Sequence, residues 1–387
     1  MFGNLKKYSP ETVIFLLVFV FFIGILGIGS YIKLLYSYVN KIPANNQISS
    51  DAKTKFESDY ETYFIGKYTF LDLNGGARRL LKQREMNKIV KLDNGYLHDP
   101  VIYTTDEELE KYAASVVRLR DYLASKDIKL VYFSTPYLPN EDLLPAGVRD
   151  YGASNVDRFE KLLNASGIDT LNFDKMLADE GLSYYDHVYR TDHHWTTMAG
   201  FRAYNGLESY LTKVIDCDVD ERIGNIDNYV ISSYKEAHLG SYGMRTGKLF
   251  ARPDDFELIL PDFDTCITAS NGETGSVNAI MFNPEALSNR DFAKRDTYGE
   301  VLSGGFMNYV NQTTPNDKKI LMVSDSMIKA MMPYLAMAFS EVRYVYDKYG
   351  QELTKDIIDE YDPDIVVLMY GPVFLQEGSH AFDYPEY

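Results

Sequence analysis

In Thr191-Asp192-His193-His194-Trp195-Thr196-Thr197, a carboxylate stands two residues before an imidazole, and the only tryptophan of the chain follows directly. An imidazole that acts as a general base needs an acceptor that holds its useful tautomer and stabilises the imidazolium formed in the transition state. We therefore interpret Asp192 and His194 as an acid/base pair in which Asp192 orients the ring. His193 points elsewhere in this interpretation and packs or makes hydrogen bonds.

A nucleophile for this pair is predicted where an apolar strand gives way to a helix. The run Ile320-Leu321-Met322-Val323 ends in Ser324-Asp325-Ser326, and a helical segment follows from Met327. A serine hydroxyl becomes a competent nucleophile when a neighbouring imidazole takes its proton. We predict Ser326 as the nucleophile. The alternative is that Ser326 caps the helix after it and that Asp192 or Thr191 caps the helix at 197–214, because Ser, Thr and Asp are favoured N-cap residues. Capping and catalysis are compatible.

The chain resembles the DHHW proteins, because Asp192 to Trp195 spell their name-giving motif. Those proteins belong with the alginate O-acetylation proteins among the SGNH/GDSL-like hydrolases, and residues 324–326 are similar to their Gly-Asp-Ser block. The resemblance covers roughly residues 56–371. The Asp-x-His pair precedes the serine, as in the permuted order of the alginate-type proteins. Ser324 stands where the motif usually has glycine, which makes the turn less free and leaves Ser324 as a weaker nucleophile candidate.

The remaining pattern is typical of an α/β fold, because apolar strand-like runs alternate with segments of helical period. The predicted strands are 128–133, 168–172, 319–323, 342–346 and 365–369. The predicted helices are 107–125, 155–166, 173–180, 197–214, 327–339 and 352–361. Between about 216 and 314 the alternation breaks down, which predicts a β-rich insertion of antiparallel strands. The resemblance implies an SGNH-hydrolase-like parallel sheet with flanking helices.

A membrane anchor is predicted at the start of the chain. Residues 12–32 carry no charge, and roughly 20 apolar residues suffice to cross a bilayer. Residues 1–11 are then a cytoplasmic N-terminus, residues 33–52 a polar linker, and residues 53–387 the SGNH-like domain. We expect a single-pass protein of the cell membrane with this domain outside the cytoplasm. A cleaved signal peptide is the alternative, and the balanced lysines around the span do not set its orientation.

Composition excludes one large class of partners. The net charge is −17 and the pI is about 4.8, whereas binding to phosphate backbones requires clustered Lys and Arg. We therefore predict no nucleic-acid partner. Cys217 and Cys266 are the only cysteines, and one disulfide or two free thiols are both compatible with a single pair. Neither has a CxxC neighbour, so no zinc or redox site is expected.

Donors for a developing oxyanion are a further requirement of acyl transfer. The backbone of Met327, or of Ser326 itself, is the predicted first donor. Gly305 and Asn308 stand where SGNH enzymes use Gly and Asn, although a turn is the alternative role for the glycine. Tyr370 is another candidate, because ligands of open α/β sheets bind beyond the carboxyl ends of the strands.

Two residues beside the motif are predicted to contact substrate. Trp195 stacks on a sugar ring in this interpretation, with core packing as the alternative. Arg190 holds an anionic group, with a surface ion pair as the alternative. We predict no metal and no cofactor, because the only other nearby histidine, His187, has no matching set of ligands.

The leading functional hypothesis is a membrane-anchored acyltransferase that forms an acyl-Ser326 intermediate. The resemblance implies O-acetylation of an exopolysaccharide or cell-wall glycan, beside a multi-spanning membrane protein that delivers acetyl groups. A carbohydrate esterase would use the same triad with water as acceptor, and the sequence does not separate the two. A manganese-dependent phosphoesterase of the DHH type and a non-catalytic polysaccharide-binding or scaffolding protein are the remaining alternatives.

Overall fold

The computed structural model describes residues 14, 17–32, 64–137, 141–292, 295–304, 308–347, 350 and 352–384. The chain divides into two compact units, Met1–Ala77 and Arg78–Tyr387. In the first unit, residues 17–32 are helical, with a π-helical stretch at Phe21–Ile28, and the Ile65 N–H donates to Ser30 Oγ at 2.9 Å. The described residues include no helix that is both long and apolar enough to span a bilayer. The anchor predicted at 12–32 lies partly outside these residues.

An eight-stranded sheet organises the second unit, and a three-stranded and a two-stranded sheet accompany it in the described part of the chain. The strands are β1 (Glu85–Met86), β2 (Ile89–Lys91), β3 (Leu97–His98), β4 (Lys129–Ser134), β5 (Asp169–Asn172), β6 (Tyr229–His238), β7 (Asp254–Pro261), β8 (Ile267–Ala269), β9 (Thr274–Gly275), β10 (Tyr309–Val310), β11 (Lys319–Ser324), β12 (Glu341–Tyr346) and β13 (Ile365–Tyr370). The large sheet has the order β5-β4-β13-β11-β12-β10-β8-β9. Its pairs from β5 to β12 are parallel, and the pairs beyond β12 are antiparallel.

The predicted α/β fold with a parallel central sheet is therefore confirmed. Buried parallel strands read as continuous apolar runs because helices cover both faces. On β11, Ile320 and Met322 belong to one core cluster, whereas Leu321 and Val323 belong to the other. All four are fully buried. This double burial places β11 at the centre of the sheet and fixes the position of the turn that follows it.

Five of the predicted helices are present with ends within a few residues of the prediction, namely those at 107–125, 155–166, 173–180, 197–214 and 352–361. The α-helices are Lys67–Leu80, Asp106–Ala124, Gly152–Ala165, Phe173–Asp179, Thr197–Val214, Ser241–Thr246, Val277–Met281, Thr297–Val301, Met332–Ala338 and Lys355–Tyr361. The short 3₁₀ helices are Glu141–Leu143, Tyr184–Asp186, Ile226–Asn228, Pro284–Ser288, Ser326–Ala330 and Pro372–Leu375. The Thr196 hydroxyl accepts from the Ala199 N–H and caps the helix Thr197–Val214. That cap explains why this helix begins directly after the Asp-His motif.

The single helix predicted at 327–339 is wrong in one respect. The segment divides into the 3₁₀ turn Ser326–Ala330 and the α-helix Met332–Ala338. Pro333 lies in the first turn of the second helix. Proline has no N–H and disfavours helical backbone in the residue before it, so the helix restarts at this point.

The antiparallel strands predicted between 216 and 314 are present, but they do not form one separate layer. β6 and β7 pair antiparallel as a two-stranded sheet. β8, β9 and β10 instead extend the edge of the central sheet, since β10 pairs with β12. The segment thus continues the main sheet on one side and, through the end of β6, reaches the Asp-His motif.

Candidate active site

The turn after β11 presents Ser326 at the carboxyl end of the parallel strands. Asp325 is the N-cap of the 3₁₀ turn, and its carboxylate accepts from the Met327 N–H at 2.9 Å. Ser326 is half-buried, whereas Ser324 is fully buried within the strand. No described residue makes a hydrogen bond with Ser324 Oγ. Of the two serines, only Ser326 is therefore accessible to a substrate.

The Asp-His motif lies in a tight loop that faces this turn. An antiparallel bridge between Val188 and Trp195 closes the loop. His194 Nε2 lies 2.8 Å from Ser326 Oγ, and His194 Nδ1 lies 2.9 Å from Asp192 Oδ2. The imidazole is stacked on the ring of Tyr298, with centroids 4.1 Å apart and planes 17° apart. The structure therefore brings the three predicted triad residues into one continuous hydrogen-bonded chain.

Asp192 is buried and accepts five hydrogen bonds. They come from the His193 N–H, the Ser241 N–H, the Ser241 hydroxyl and the rings of His194 and His238, at 2.8 to 3.0 Å. Burial by itself raises the pKa of this carboxyl, but His194 and His193 together lower it well below its ordinary value. Asp192 is thus ionised, so His194 Nδ1 carries the proton that it donates. The lone pair of Nε2 then accepts from the Ser326 hydroxyl, which is the arrangement a general base needs.

The pH dependence of serine acylation follows from the environment of His194. Burial lowers its pKa, and the neighbouring His193 acts in the same direction. The neutral ring is the active form, so acylation should be lost as pH falls through a midpoint below the ordinary imidazole value of about 6.5. The measurement is the burst rate of p-nitrophenol from p-nitrophenyl acetate as a function of pH. His193→Gln should raise the midpoint, and a wild-type midpoint above about 6.5 would contradict the assignment.

Two glycines permit the close packing around the triad. A Cβ at Gly240 would lie 2.1 Å from Asp192 Cβ and 2.4 Å from Asp192 Cγ. A Cβ at Gly200, in the helix Thr197–Val214, would lie 2.5 Å from Ala330 Cβ. Such separations are far below van der Waals contact, so a side chain at either position requires displacement of its neighbour. Gly240 therefore allows the insertion to reach Asp192, and Gly200 allows the motif helix to pack on the serine turn.

A cavity of about 760 Å³ opens over Ser326. Its lining includes Asp192, His193, Ser241 and the serine turn itself. Seven tyrosines also line it: Tyr96, Tyr137, Tyr184, Tyr185, Tyr189, Tyr242 and Tyr346. Aromatic rings with a hydroxyl offer an apolar face and a hydrogen-bonding group together, which suits a ligand with the same mixture. The volume lies within the range of small-molecule and oligosaccharide-unit sites.

The predicted oxyanion donors are placed less favourably than the triad. The Met327 N–H is already bonded to Asp325, whereas the Ser326 N–H finds no acceptor in the described part of the chain. Ser326 itself is therefore the better first donor of the two. Asn308 lies beside β12, where its Oδ1 accepts from the Tyr344 N–H at 2.8 Å. Gly305 lies outside the described residues.

Tyr370 is a wrong oxyanion candidate. It ends β13 as predicted, but its side chain is fully buried and its hydroxyl donates to the Asp347 carbonyl. Side chains alternate between the faces of a strand, and Tyr370 belongs to the same core cluster as Leu368. Its ring therefore packs in the core on one face of the sheet.

Trp195 and Arg190 do not line the cavity over Ser326. Trp195 is fully buried, and its Nε1–H donates to the Met327 carbonyl at 2.8 Å, so sugar stacking is wrong for this ring. It instead ties the Asp-His loop to the serine turn. The Arg190 guanidinium donates to the carbonyls of Arg252 and Pro253 and lies 3.6 Å from Asp254. Arg190 is therefore placed as the ion-pair alternative predicts, and not in a position to bind an anionic substrate in this cavity.

One group in the described residues has the donor atoms for a metal, namely Asp192, His193 and His194. Its atoms are occupied by the hydrogen bonds of the triad, and His193 Nδ1 lies 2.7 Å from Ser241 Oγ. A two-metal phosphoesterase site requires further acidic and histidine ligands. Cys217 and Cys266 are free thiols, so the disulfide alternative is wrong.

Three residues of the site are not predicted from the sequence. His238 at the end of β6 and Ser241 both donate to Asp192, and Tyr298 stacks on His194. All three lie in the insertion, at least 46 residues from Asp192. Sequence motifs relate residues that are close along the chain, so they do not reveal contacts at such separations. The one local signal is Gly240 beside Ser241, because a glycine permits another segment to pack closely against the backbone.

Comparison with known proteins identifies the fold that carries this site. A protein-family profile described as the SGNH hydrolase-like domain of acetyltransferase AlgX matches residues 96–217, which include Asp192 and His194 but not Ser326. The chain has the SGNH hydrolase-like fold. Its predicted resemblance to the DHHW and alginate O-acetylation proteins is confirmed. No curated protein sequence matches the chain significantly.

Solved structures share this SGNH hydrolase-like fold at low sequence identity. PatB1 from Bacillus cereus is 19% identical, with a TM-score of 0.57 over 76% of this chain and 99% of that protein. A second PatB1 structure, which carries a sulfonyl adduct, is 16% identical over the same shares of the two chains, with a TM-score of 0.57. A DHHW family protein from Eubacterium siraeum is 16% identical, with a TM-score of 0.55 over 76% of this chain and 94% of that one.

Proposed function

We propose that this SGNH hydrolase-like protein is a membrane-anchored serine acyltransferase that O-acetylates an extracellular or cell-wall polysaccharide. The observation that carries the proposal is the chain Asp192, His194, Ser326, with separations of 2.9 and 2.8 Å, whose Asp192 and Ser326 line a tyrosine-rich cavity. The match of residues 96–217 to an acetyltransferase domain supports acetyl as the acyl group.

The first half-reaction loads the enzyme. Ser326 Oγ attacks the carbonyl carbon of an acetyl ester while His194 Nε2 takes the hydroxyl proton. The bond between Oγ and the carbonyl carbon forms, the bond to the donor oxygen breaks, and His194 returns the proton to that leaving oxygen. Asp192 remains ionised and stabilises the transient imidazolium. The Ser326 N–H is the donor best placed for the oxyanion.

The second half-reaction releases the acetyl group to a sugar. His194 takes the proton of a sugar hydroxyl, the hydroxyl oxygen bonds to the acetyl carbon, and the bond to Ser326 Oγ breaks. His194 then reprotonates Ser326 Oγ. If water takes the place of the sugar, the same residues give a carbohydrate esterase. A cavity that an acceptor sugar fills favours transfer, because it excludes the competing water.

Mass spectrometry with a serine-reactive fluorophosphonate tests the loading step. The probe should add once, on Ser326. Acetyl transfer is then measured with p-nitrophenyl acetate as donor and a neutral oligosaccharide as acceptor. Labelling of another residue would contradict the proposed nucleophile, and release of acetate at the same rate with and without a sugar would favour the esterase.

Anchoring and a membrane partner are part of the proposal because acetyl donors are made in the cytoplasm. An external Ser326 depends on a multi-spanning membrane protein that passes acetyl groups outward. Deletion of residues 1–36 should therefore release a folded domain that still hydrolyses small acetyl esters but no longer acetylates glycan in cells. Glycan acetyl content and ester hydrolysis measure the two effects. Full glycan acetylation by the truncated form, or a domain that external protease does not reach in intact cells, would contradict anchoring.

A further inference from the structure

A second histidine–carboxylate pair lies in the wall of the cavity that contains Ser326. His98 and Asp150 are both buried, and His98 Nε2 lies 2.8 Å from Asp150 Oδ2. Tyr137 donates its hydroxyl proton to the same carboxylate oxygen at 2.8 Å. His98 and Tyr137 line the cavity. This pair takes no part in the chemistry of the triad as derived above.

The carboxylate of this pair accepts four hydrogen bonds. Asp150 also accepts from the Val101 N–H at 2.7 Å and from the Gly152 N–H at 2.8 Å. Burial by itself raises the pKa of Asp150, but the hydrogen bonds from His98 and from the Val101 and Gly152 N–H groups lower it below its ordinary value. The carboxylate is therefore ionised, and His98 Nε2 is the nitrogen that carries the proton.

The opposite nitrogen of His98 is the one available to a ligand. With Nε2 protonated, Nδ1 of the neutral ring carries a lone pair, and no described residue makes a hydrogen bond with it. An imidazole whose orientation is fixed by a carboxylate presents that lone pair in a defined direction. His98 lines the cavity, so a hydroxyl of a bound molecule is the partner that the geometry provides.

Backbone packing fixes this pair in place. A Cβ at Gly152 would lie 1.8 Å from a ring carbon of Tyr137. The phenol therefore occupies the space of a side chain at the start of the helix Gly152–Ala165, directly beside Asp150. Only a glycine at this position permits such an approach. This packing holds the phenol beside Asp150, and pre-organisation of this kind lowers the entropic cost of binding.

Tyr242 lines the same cavity as His98 and Tyr137. It follows Ser241, whose N–H and hydroxyl both donate to Asp192. Burial raises the pKa of Tyr242, and the charges of Asp99, Asp192 and Asp150 act in the same direction. The phenol is therefore within electrostatic range of both carboxylates. The cavity lining carries three carboxylates and two cations: Asp99, Asp192, Asp325, Lys88 and Arg245. Arg245 is paired with Asp99, and the remaining excess of carboxylates disfavours an anionic ligand.

We propose that His98, held by Asp150 and Tyr137, binds a hydroxyl of a neutral acceptor sugar while a second hydroxyl of that sugar attacks acyl-Ser326. This inference rests on the proposed function and specifies its acceptor. A sugar held at two hydroxyls presents the attacking oxygen in one orientation, and such fixation selects which hydroxyl is acetylated. His98 is then an acceptor-binding residue, and the loading half-reaction does not depend on it.

Two substitutions of His98 separate binding from support of the fold. The Nε2 of glutamine corresponds to the imidazole Nε2, so His98→Gln keeps a donor to Asp150 and removes the lone pair at Nδ1. Asparagine places its amide near the Nδ1 position, so His98→Asn keeps an acceptor for the sugar and removes the donor to Asp150. The assay uses p-nitrophenyl acetate as donor, with xylopentaose and cellopentaose as neutral acceptors and a mannuronate oligomer as anionic acceptor.

We expect the burst of p-nitrophenol to be unchanged in His98→Gln and the KM for the best neutral acceptor to rise about tenfold, the effect of one lost hydrogen bond. His98→Asn should instead lower Tm and keep more of the affinity for the acceptor. The mannuronate oligomer should accept poorly from every form. An unchanged acceptor KM in His98→Gln, or a wild-type acyl-enzyme that reacts no faster with neutral sugars than with water, would overturn the proposal. Absence of a burst in the wild type would instead contradict the proposed function itself.

Discussion

Replacement of Ser326 by alanine should abolish acyl-enzyme formation, with a fall in kcat on the order of 10⁴-fold or more. The Ser326 hydroxyl is the only part of the triad that bonds to the acyl group, and it lies 2.8 Å from His194 Nε2. Fluorophosphonate labelling and the p-nitrophenyl acetate burst should both disappear. The fold should be retained, because Ser326 is half-buried and removal of its hydroxyl leaves no large cavity.

Ser324→Ala is the matched control. Ser324 is two residues away, fully buried, and Ser324 Oγ has no partner among the described residues. Removal of an unpaired buried hydroxyl is close to neutral or stabilising. We expect labelling and activity near those of the wild type. The opposite pattern, with labelling lost in Ser324→Ala and kept in Ser326→Ala, would transfer the role of nucleophile to Ser324.

Gly240→Ala should reduce kcat on the order of 10²-fold without removing any catalytic group. The new methyl would lie 2.1 Å from Asp192 Cβ, so either the carboxylate or the segment with Ser241 must shift. A displacement of about 1 Å at a catalytic group costs about 10²-fold in rate. The midpoint of the pH profile should show whether Asp192 has moved. If Asp192 no longer contacts His194, that ring is easier to deprotonate and the midpoint falls.

Gly224→Ala controls for the general cost of a methyl group. Gly224 is exposed, and its φ lies outside the left-handed region. The nearest atom to a Cβ at this position would be Asn205 Oδ1, at 3.5 Å. We expect no measurable change in kcat for this variant. If Gly240→Ala retains full activity and an unshifted pH profile, the packing of the insertion on Asp192 is irrelevant to catalysis.

Local sequence signals predict the central sheet and the triad. The fully buried run 320–323 identifies β11 because strands covered on both faces read as continuous apolar segments. The helix Thr197–Val214 has the predicted bounds because its cap, Thr196, directly precedes an amphipathic pattern. Asp192 and His194 lie two residues apart, so their contact is short-range, and the boundary between strand and helix identifies Ser326. Each of these features depends on neighbours along the chain.

The features that the sequence does not reveal depend on contacts between distant segments. His238 and Asp192 are 46 residues apart, and His98 and Asp150 are 52 apart. Burial is equally hard to predict for a single aromatic residue. The sequence therefore led us to predict that Trp195 stacks on a sugar, whereas its indole is buried and bonds to the Met327 carbonyl. Pro333 does carry a readable signal, and it accounts for the division of the predicted helix 327–339.

The five donors around Asp192 make the orientation of His194 depend on two segments that are distant along the chain. Three of them come from His238, at the end of β6, and from Ser241, in the segment after it. The proposed nucleophile, Ser326, instead follows β11 of the central sheet. During refolding, the sheet can form before the insertion docks, and a serine without its oriented histidine is unreactive. The rate at which fluorophosphonate labelling of Ser326 returns during refolding should therefore report the rate at which the insertion docks. Ester hydrolysis should return later than the far-ultraviolet circular dichroism signal of the sheet and helices.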